Sequence, residues 1–178
     1  GATAAINKLI DVLGLRLPRD LERQYGLDAR IPDNERPVIF LGPYEHHSNE
    51  LPWRESIADV VSVPLNERGQ ICEQTLAVEL QKYADRPVKI GSFSAASNVT
   101  GIKSDVQSIS RLLTQHGALV FWEYAAAAPY LAIDMIGEPP LAAGVISPRT
   151  FVGGPGSPGV LVAKRALLNN TIPAVVGG

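Results

Sequence analysis

The sequence is poor in the residues that cross-link or anchor a chain. Its 178 residues include one cysteine, Cys72, so neither an internal disulfide nor a thiolate metal cluster can form. No apolar run approaches the roughly 20 residues needed to span a bilayer, and no basic-then-apolar segment opens the chain. Basic runs are also missing, and the formal net charge is −2, which gives nucleic-acid binding no electrostatic support. No Gly-x-Ser-x-Gly elbow occurs, so a serine nucleophile of that kind is excluded. These absences favour a reducing setting such as the cytoplasm, with no membrane or nucleic-acid partner. Cys72 has no base near it in sequence and reads as a buried structural thiol.

What is present suits one compact domain over residues 1–178. Hydrophobic residues make up 46% and charged residues 19%, an ordinary globular mixture. The ends, "GATAAINKLI" and "IPAVVGG", read as cuts through glycine-rich turns, so the expectation is one domain of a longer protein.

Periodicity assigns the elements. Ile6, Leu9, Ile10 and Leu13 share one helical face, and Gly14 can cap that helix. The stretch from Leu15 to Pro37 is a polar connection with a short helix around Arg19–Tyr25. Residues 37–42 form a continuous apolar run, the mark of a strand covered on both faces. A short helix over "WRESIA" is expected after Pro52, a strand over 59–65, a helix over 72–84 and a strand over 88–94. Ser104 and Gln107 form a capping box at the start of the next helix, which His116-Gly117 closes. Strands are expected at 118–122, 142–147 and 159–164. Strands and helices alternating in this way make a three-layer α/β/α fold with a mostly parallel sheet. The last two strands are joined by about a dozen residues without a helical pattern, which suits an antiparallel last strand.

Ligands of such sheets bind beyond the carboxyl ends of the strands. "YEHHSNE", "SAASN", "EYAAAA" and "SPRT" all fall there, and the helix start at Ala2-Thr3 adds bare backbone donors suited to an anion. Gly154-Pro155-Gly156-Ser157-Pro158-Gly159 matches the dinucleotide fingerprint in letters only, because a strand follows it where a helix should open. Glu45-His46-His47 invites a metal, but neighbouring residues of an extended segment point to opposite sides. A single histidine stacked on a flat ligand, or capping backbone groups, fits better. Glu123 ends a buried strand, where a carboxylate needs a partner: a cationic ring nitrogen, Arg149 or a loop amide.

These segments, in this order, resemble the large domain of the pyridoxal-phosphate-dependent class V aminotransferase and cysteine desulfurase-like family. "GATAAINKLI" resembles the family's phosphate-binding turn and helix. "YEHHSNELPW" resembles its Glu-His-His-Ser/Ala-Asn-x-x-Pro-Trp segment, and "SAASNVTGI" its Ser-Asn-x-x-Gly segment. "SPRTFVGGPGSPG" resembles Ser-Pro-His-Lys-Phe-x-Gly-Gly-Pro-Gly-Thr-Pro-Gly. The resemblance implies that Ala2 and Thr3 hold the phosphate of pyridoxal 5'-phosphate with help from Ser147. It also implies that His46 stacks on the ring and that Asn98 bonds the phenolic oxygen. Glu123 would face the ring nitrogen, where the family has a shorter aspartate. The family acts on amino acids, normally as homodimers with a smaller second domain.

One position breaks the pattern. The family's His-Lys is Arg149-Thr150 here. Threonine has no amine and cannot form the Schiff base. Arg149 keeps a positive charge for the phosphate but stays protonated and cannot replace the lysine. The expectation is a chain with no catalytic lysine and no ordinary turnover, either a noncovalent phosphate or cofactor binder or a purely structural, partner-binding domain.

Overall fold

The computed structural model describes residues 1–177. Six strands form one sheet in the order β2-β1-β3-β4-β5-β6: β1 Val38–Leu41, β2 Asp59–Ser62, β3 Lys89–Ser94, β4 Leu119–Glu123, β5 Ala143–Ile146 and β6 Val160–Ala163. All neighbours are parallel except β5 and β6, which pair antiparallel. The expected architecture is the observed one, antiparallel last strand included.

The two-residue side-chain period of a strand divides the core. Val38, Phe40, Phe93, Val120 and Trp122 point to one face and pack with Leu76, Leu80, Ile109 and Leu113 of α4 (Glu73–Lys82) and α5 (Val106–Gln115). Ile39, Leu41, Ile90, Phe121 and Val145 point to the other face. They meet Ile6, Leu9, Ile10 and Trp53 of α1 (Ala2–Val12) and α3 (His47–Arg54). α2 (Arg19–Tyr25) buries nothing and lies outside both layers. Gly14 takes φ +68 and Gly117 takes φ +68 after the ends of α1 and α5. There each glycine N–H and the next one close back onto the last turn.

Several local expectations need correction. The helix expected over "WRESIA" is α3, which begins five residues before Pro52 and runs through it. His46 caps the start of that helix: its Nδ1 accepts the Ser48 N–H at 3.1 Å. Pro52 removes one backbone donor from a helix held by Trp53, which is fully buried. The capping box is replaced as well. Asp105 caps α5 by accepting the Ser108 N–H at 2.9 Å, while the Ser104 hydroxyl donates to the Ser94 carbonyl at 2.7 Å. Asp105 takes the N–H one residue beyond the Gln107 donor that a Ser104 cap would use, so the helix starts one residue later. Strand β2 ends at Ser62 rather than residue 65 and is only half-buried, as befits the sheet edge. Cys72 is half-exposed at the start of α4 rather than buried. Hydrogen bonds from Thr75 lower its thiol pKa.

The loop joining β5 to β6 is tightly turned. Gly153 and Gly156 take φ +78 and +86, and Gly154 N–H donates to the Phe151 carbonyl at 2.9 Å. A methyl group on Gly154 would fall well inside contact distance of the Pro148 carbonyl oxygen. Gly154→Ala is therefore expected to destabilise the chain by about 1–3 kcal/mol, the usual cost of overpacking a filled site. Urea denaturation of the two forms checks this.

Candidate functional site

Because β1, β3, β4 and β5 are parallel, their carboxyl ends share one edge of the sheet, the rim. Antiparallel pairing of Ile146 with Val160 brings the start of β6 to the same rim. Gly159 carries the start of α1 there too, since a methyl group on Gly159 would run into the Gly1 carbonyl. Loops after β1, β3, β4 and β5 and the first turn of α1 therefore gather in one place.

Ala2 is buried and Thr3 exposed in the first turn of α1. No side chain caps that turn and no acidic residue lies in it, so its amides stay available to an anion. Ser147 is buried, with its hydroxyl near Gly1. Arg149 is exposed, and among the described residues it takes part in no ion pair. Asn98 is exposed in the turn that follows β3, where the Ser97 hydroxyl accepts the Val99 and Thr100 amides. Thr3 and His46 line a cleft of about 1290 Å³ running between α1, α2 and α3. Asn98, Glu123, Ser147 and Arg149 do not line it. Thr150 is exposed, and its Oγ1 lies 2.9 Å from both the Ala125 and the Ser147 carbonyl oxygens. Its single hydrogen serves one of these acceptors at a time; given to Ala125, it ties the loop after β4 to the loop after β5.

Beneath this surface lies a buried polar chain. Glu123 ends β4 opposite Ser94, the last residue of β3. One of its oxygens accepts the Ala125 N–H. The other lies 3.1 Å from Ser94 Oγ, and the same Oγ lies 2.7 Å from Glu45 Oε2. Glu45 also accepts the Ser94 N–H at 2.9 Å and an Asn49 side-chain N–H at 2.7 Å. Part of the Glu45 residue reaches solvent, but its carboxylate is turned inward against Gly42. Sequence reasoning had Glu123 but missed Glu45, Ser94 and Asn49. Glu45 stood out only as a neighbour of two histidines, and nothing but strand register puts Ser94 opposite Glu123. Among the described residues, no group of three metal-ligating side chains converges.

Burial is the largest influence on both carboxyls. It pushes Glu123 up to about 7, opposed by the Ala125 and Ser94 hydrogen bonds and reinforced by the charge of Glu45. It raises Glu45 as well, against hydrogen bonds from Ser94, Asn49 and Gly42. A carboxyl raised on folding binds its proton more tightly in the native state. Its stabilisation is therefore complete below its ordinary value of 4.5 and fades as the pH rises through about 7. At about 1.4 kcal/mol per pH unit, Glu123 contributes about 3 kcal/mol that is lost across this window. Glu123→Gln keeps the shape and cannot ionise, so it should flatten that part of the stability curve. Denaturation midpoints measured from pH 4 to pH 8 test the slope.

The chain is similar to several known proteins. A family model described as Aminotransferase class-V matches residues 29–178. Over 149 residues the chain is 31% identical to a probable cysteine desulfurase of Halalkalibacterium halodurans, covering 81% of this chain and 35% of that protein. Over 138 residues it is 31% identical to a cysteine desulfurase of Synechococcus elongatus, covering 75% of this chain and 21% of that protein. The crystal structure of the Escherichia coli cysteine desulfurase CsdA superposes with a TM-score of 0.68 at 25% identity, over 94% of this chain and 38% of that one. A NifS-like protein from Rickettsia africae, at 18% identity and a TM-score of 0.69 over 99% of this chain and 42% of that one, shares the fold. The chain spans about a third or less of the length of the two curated relatives. A match over most of its length, on a sheet whose rim gathers the segments in family order, makes this chain a member of the class V aminotransferase family, which depends on pyridoxal phosphate.

Proposed function

We propose that the chain is the cofactor-holding part of a cysteine desulfurase- or aminotransferase-like protein, that it binds pyridoxal phosphate without a covalent link, and that it does not turn over by the family's route. The observation that carries this reading is the state of Thr150. The residue has no amine, and its hydroxyl faces the Ala125 and Ser147 carbonyl oxygens, each 2.9 Å away. The donor set fits the phosphate and the ring but not an imine. Uncapped amides of α1 favour a dianion, and Gly159 leaves room for the tight approach of β6 to Gly1. In this reading Ala2 and Thr3, Ser147 and the Arg149 guanidinium hold the phosphate. The His46 ring, its Nδ1 fixed by Ser48, covers one face of the pyridine. Asn98 takes the phenolic oxygen, and Glu123 takes the ring nitrogen. The bound cofactor supplies an aldehyde and an electron-withdrawing ring. The chain's own residues bind and orient it. Amino acids are the proposed substrate class of the parent protein, a homodimer its assembly and the cytoplasm its setting.

A second reading is a structural or partner-binding domain with no cofactor. The same Thr150 contacts favour it, because joining two loops needs no ligand. Isothermal calorimetry with pyridoxal phosphate separates the two. The binder gives heat that Arg149→Ala abolishes, and the scaffold gives none. Borohydride treatment tests the missing link. It is expected to leave no stoichiometric adduct on the peptide carrying residue 150, and Thr150→Lys is expected to gain one. A yellow absorbance in the unaltered chain that borohydride bleaches while fixing the cofactor onto the domain core would overturn the proposal.

A further inference from the structure

The buried chain that links Glu45, Ser94 and Glu123 contains one hydrogen too few for two ionised carboxylates. A serine hydroxyl carries a single hydrogen. Ser94 Oγ nevertheless lies 2.7 Å from Glu45 Oε2 and 3.1 Å from Glu123 Oε2. If both carboxyls were charged, one of these contacts would set acceptor against acceptor in a buried site. No cation relieves that charge: among the described residues, none of the ion pairs includes Glu45 or Glu123. The other ionisable group facing the pair is Tyr44, from the loop after β1. Its phenol bonds Ser104 at 3.0 Å and is pushed up by burial and by Glu45, so it stays neutral.

We propose that Glu45 and Glu123 share one proton through the Ser94 hydroxyl at neutral pH, with Glu45 the carboxylate and Glu123 the acid. The seat of the proton follows from counting donors. Asn49 is locked by its neighbours: its Oδ1 accepts the Ser92 hydroxyl at 2.7 Å and the Trp53 indole N–H at 3.3 Å. Its amide nitrogen must therefore face Glu45 Oε2 and the Ser92 carbonyl. Glu45 receives that N–H, the Ser94 N–H and the Ser94 hydroxyl, a set that suits a carboxylate. Glu123 receives one N–H, from Ala125, and its remaining contact is with a Ser94 oxygen whose hydrogen is already given to Glu45. A protonated Glu123 supplies the hydrogen for that contact. This follows the balance expected of two like charges that cannot both ionise at close quarters. Glu45 and Ser94 are thus positioning residues that set the charge Glu123 shows to the rim. Where the cofactor reading above holds, the ring nitrogen meets a proton donor at low pH and a carboxylate at high pH.

The test needs no cofactor. The chain is labelled with carbon-13 at the glutamate carboxyl carbons and titrated by NMR. The expected result is one buried carboxyl with a midpoint near neutrality, lost in Glu123→Gln, while a second buried carboxyl reports the same titration as a smaller shift. In Glu45→Gln the Glu123 midpoint should fall, because a neighbouring negative charge is gone. Two ordinary carboxylate titrations in the unaltered chain would overturn the proposal, as would a Glu123 midpoint unmoved in a folded Glu45→Gln. If Glu45→Gln fails to fold, the unaltered chain and Glu123→Gln still decide the outcome. Failure to bind pyridoxal phosphate with this titration intact would sink the functional reading and leave the shared proton standing.

Discussion

Burial of both faces of β1, β3 and β4 fixes where the polar residues of this chain can go. Ile39, Leu41 and Phe121 face α1 and α3, and Phe40, Phe93 and Trp122 face α4 and α5. A strand covered on both sides holds a polar side chain on its flank only where a partner meets it, as Asn49 meets Ser92, so most polar chemistry gathers at the ends. Parallel pairing then delivers those ends to one edge. The rim is a geometric result of the apolar packing below it, and Glu123 is the place where the two meet: a carboxyl on the last residue of a buried strand, 5% exposed.

Much of this was legible in the sequence, for physical reasons that differ by element. The apolar run at 37–42 and the face Ile6, Leu9 and Ile10 are local patterns that burial alone accounts for, and both were read correctly. The antiparallel last strand followed from a connection too short for a crossover. The features that escaped depend on partners distant in sequence. Pro52 looked like a boundary because the packing of Trp53 cannot be seen from the helix alone. Ser104 looked like a cap because its true partner, the Ser94 carbonyl, lies ten residues back on a strand. At the rim, the residue types facing solvent were readable from their order, whereas Glu45 and Ser94 meet Glu123 only through strand register.

Thr150 sits where two loops of the rim meet. Its short side chain places one hydroxyl 2.9 Å from a main-chain oxygen of each of the loops after β4 and β5.

The indole of Trp53 stacks at 6.2 Å and 27° on Phe121, two residues before Glu123, and its N–H helps to lock Asn49 against Glu45. The apolar layer between α3 and the sheet is therefore wired to the acid–base state of the rim. A substitution that loosened this aromatic pair would free Asn49 and remove one of the donors that hold the Glu45 carboxylate.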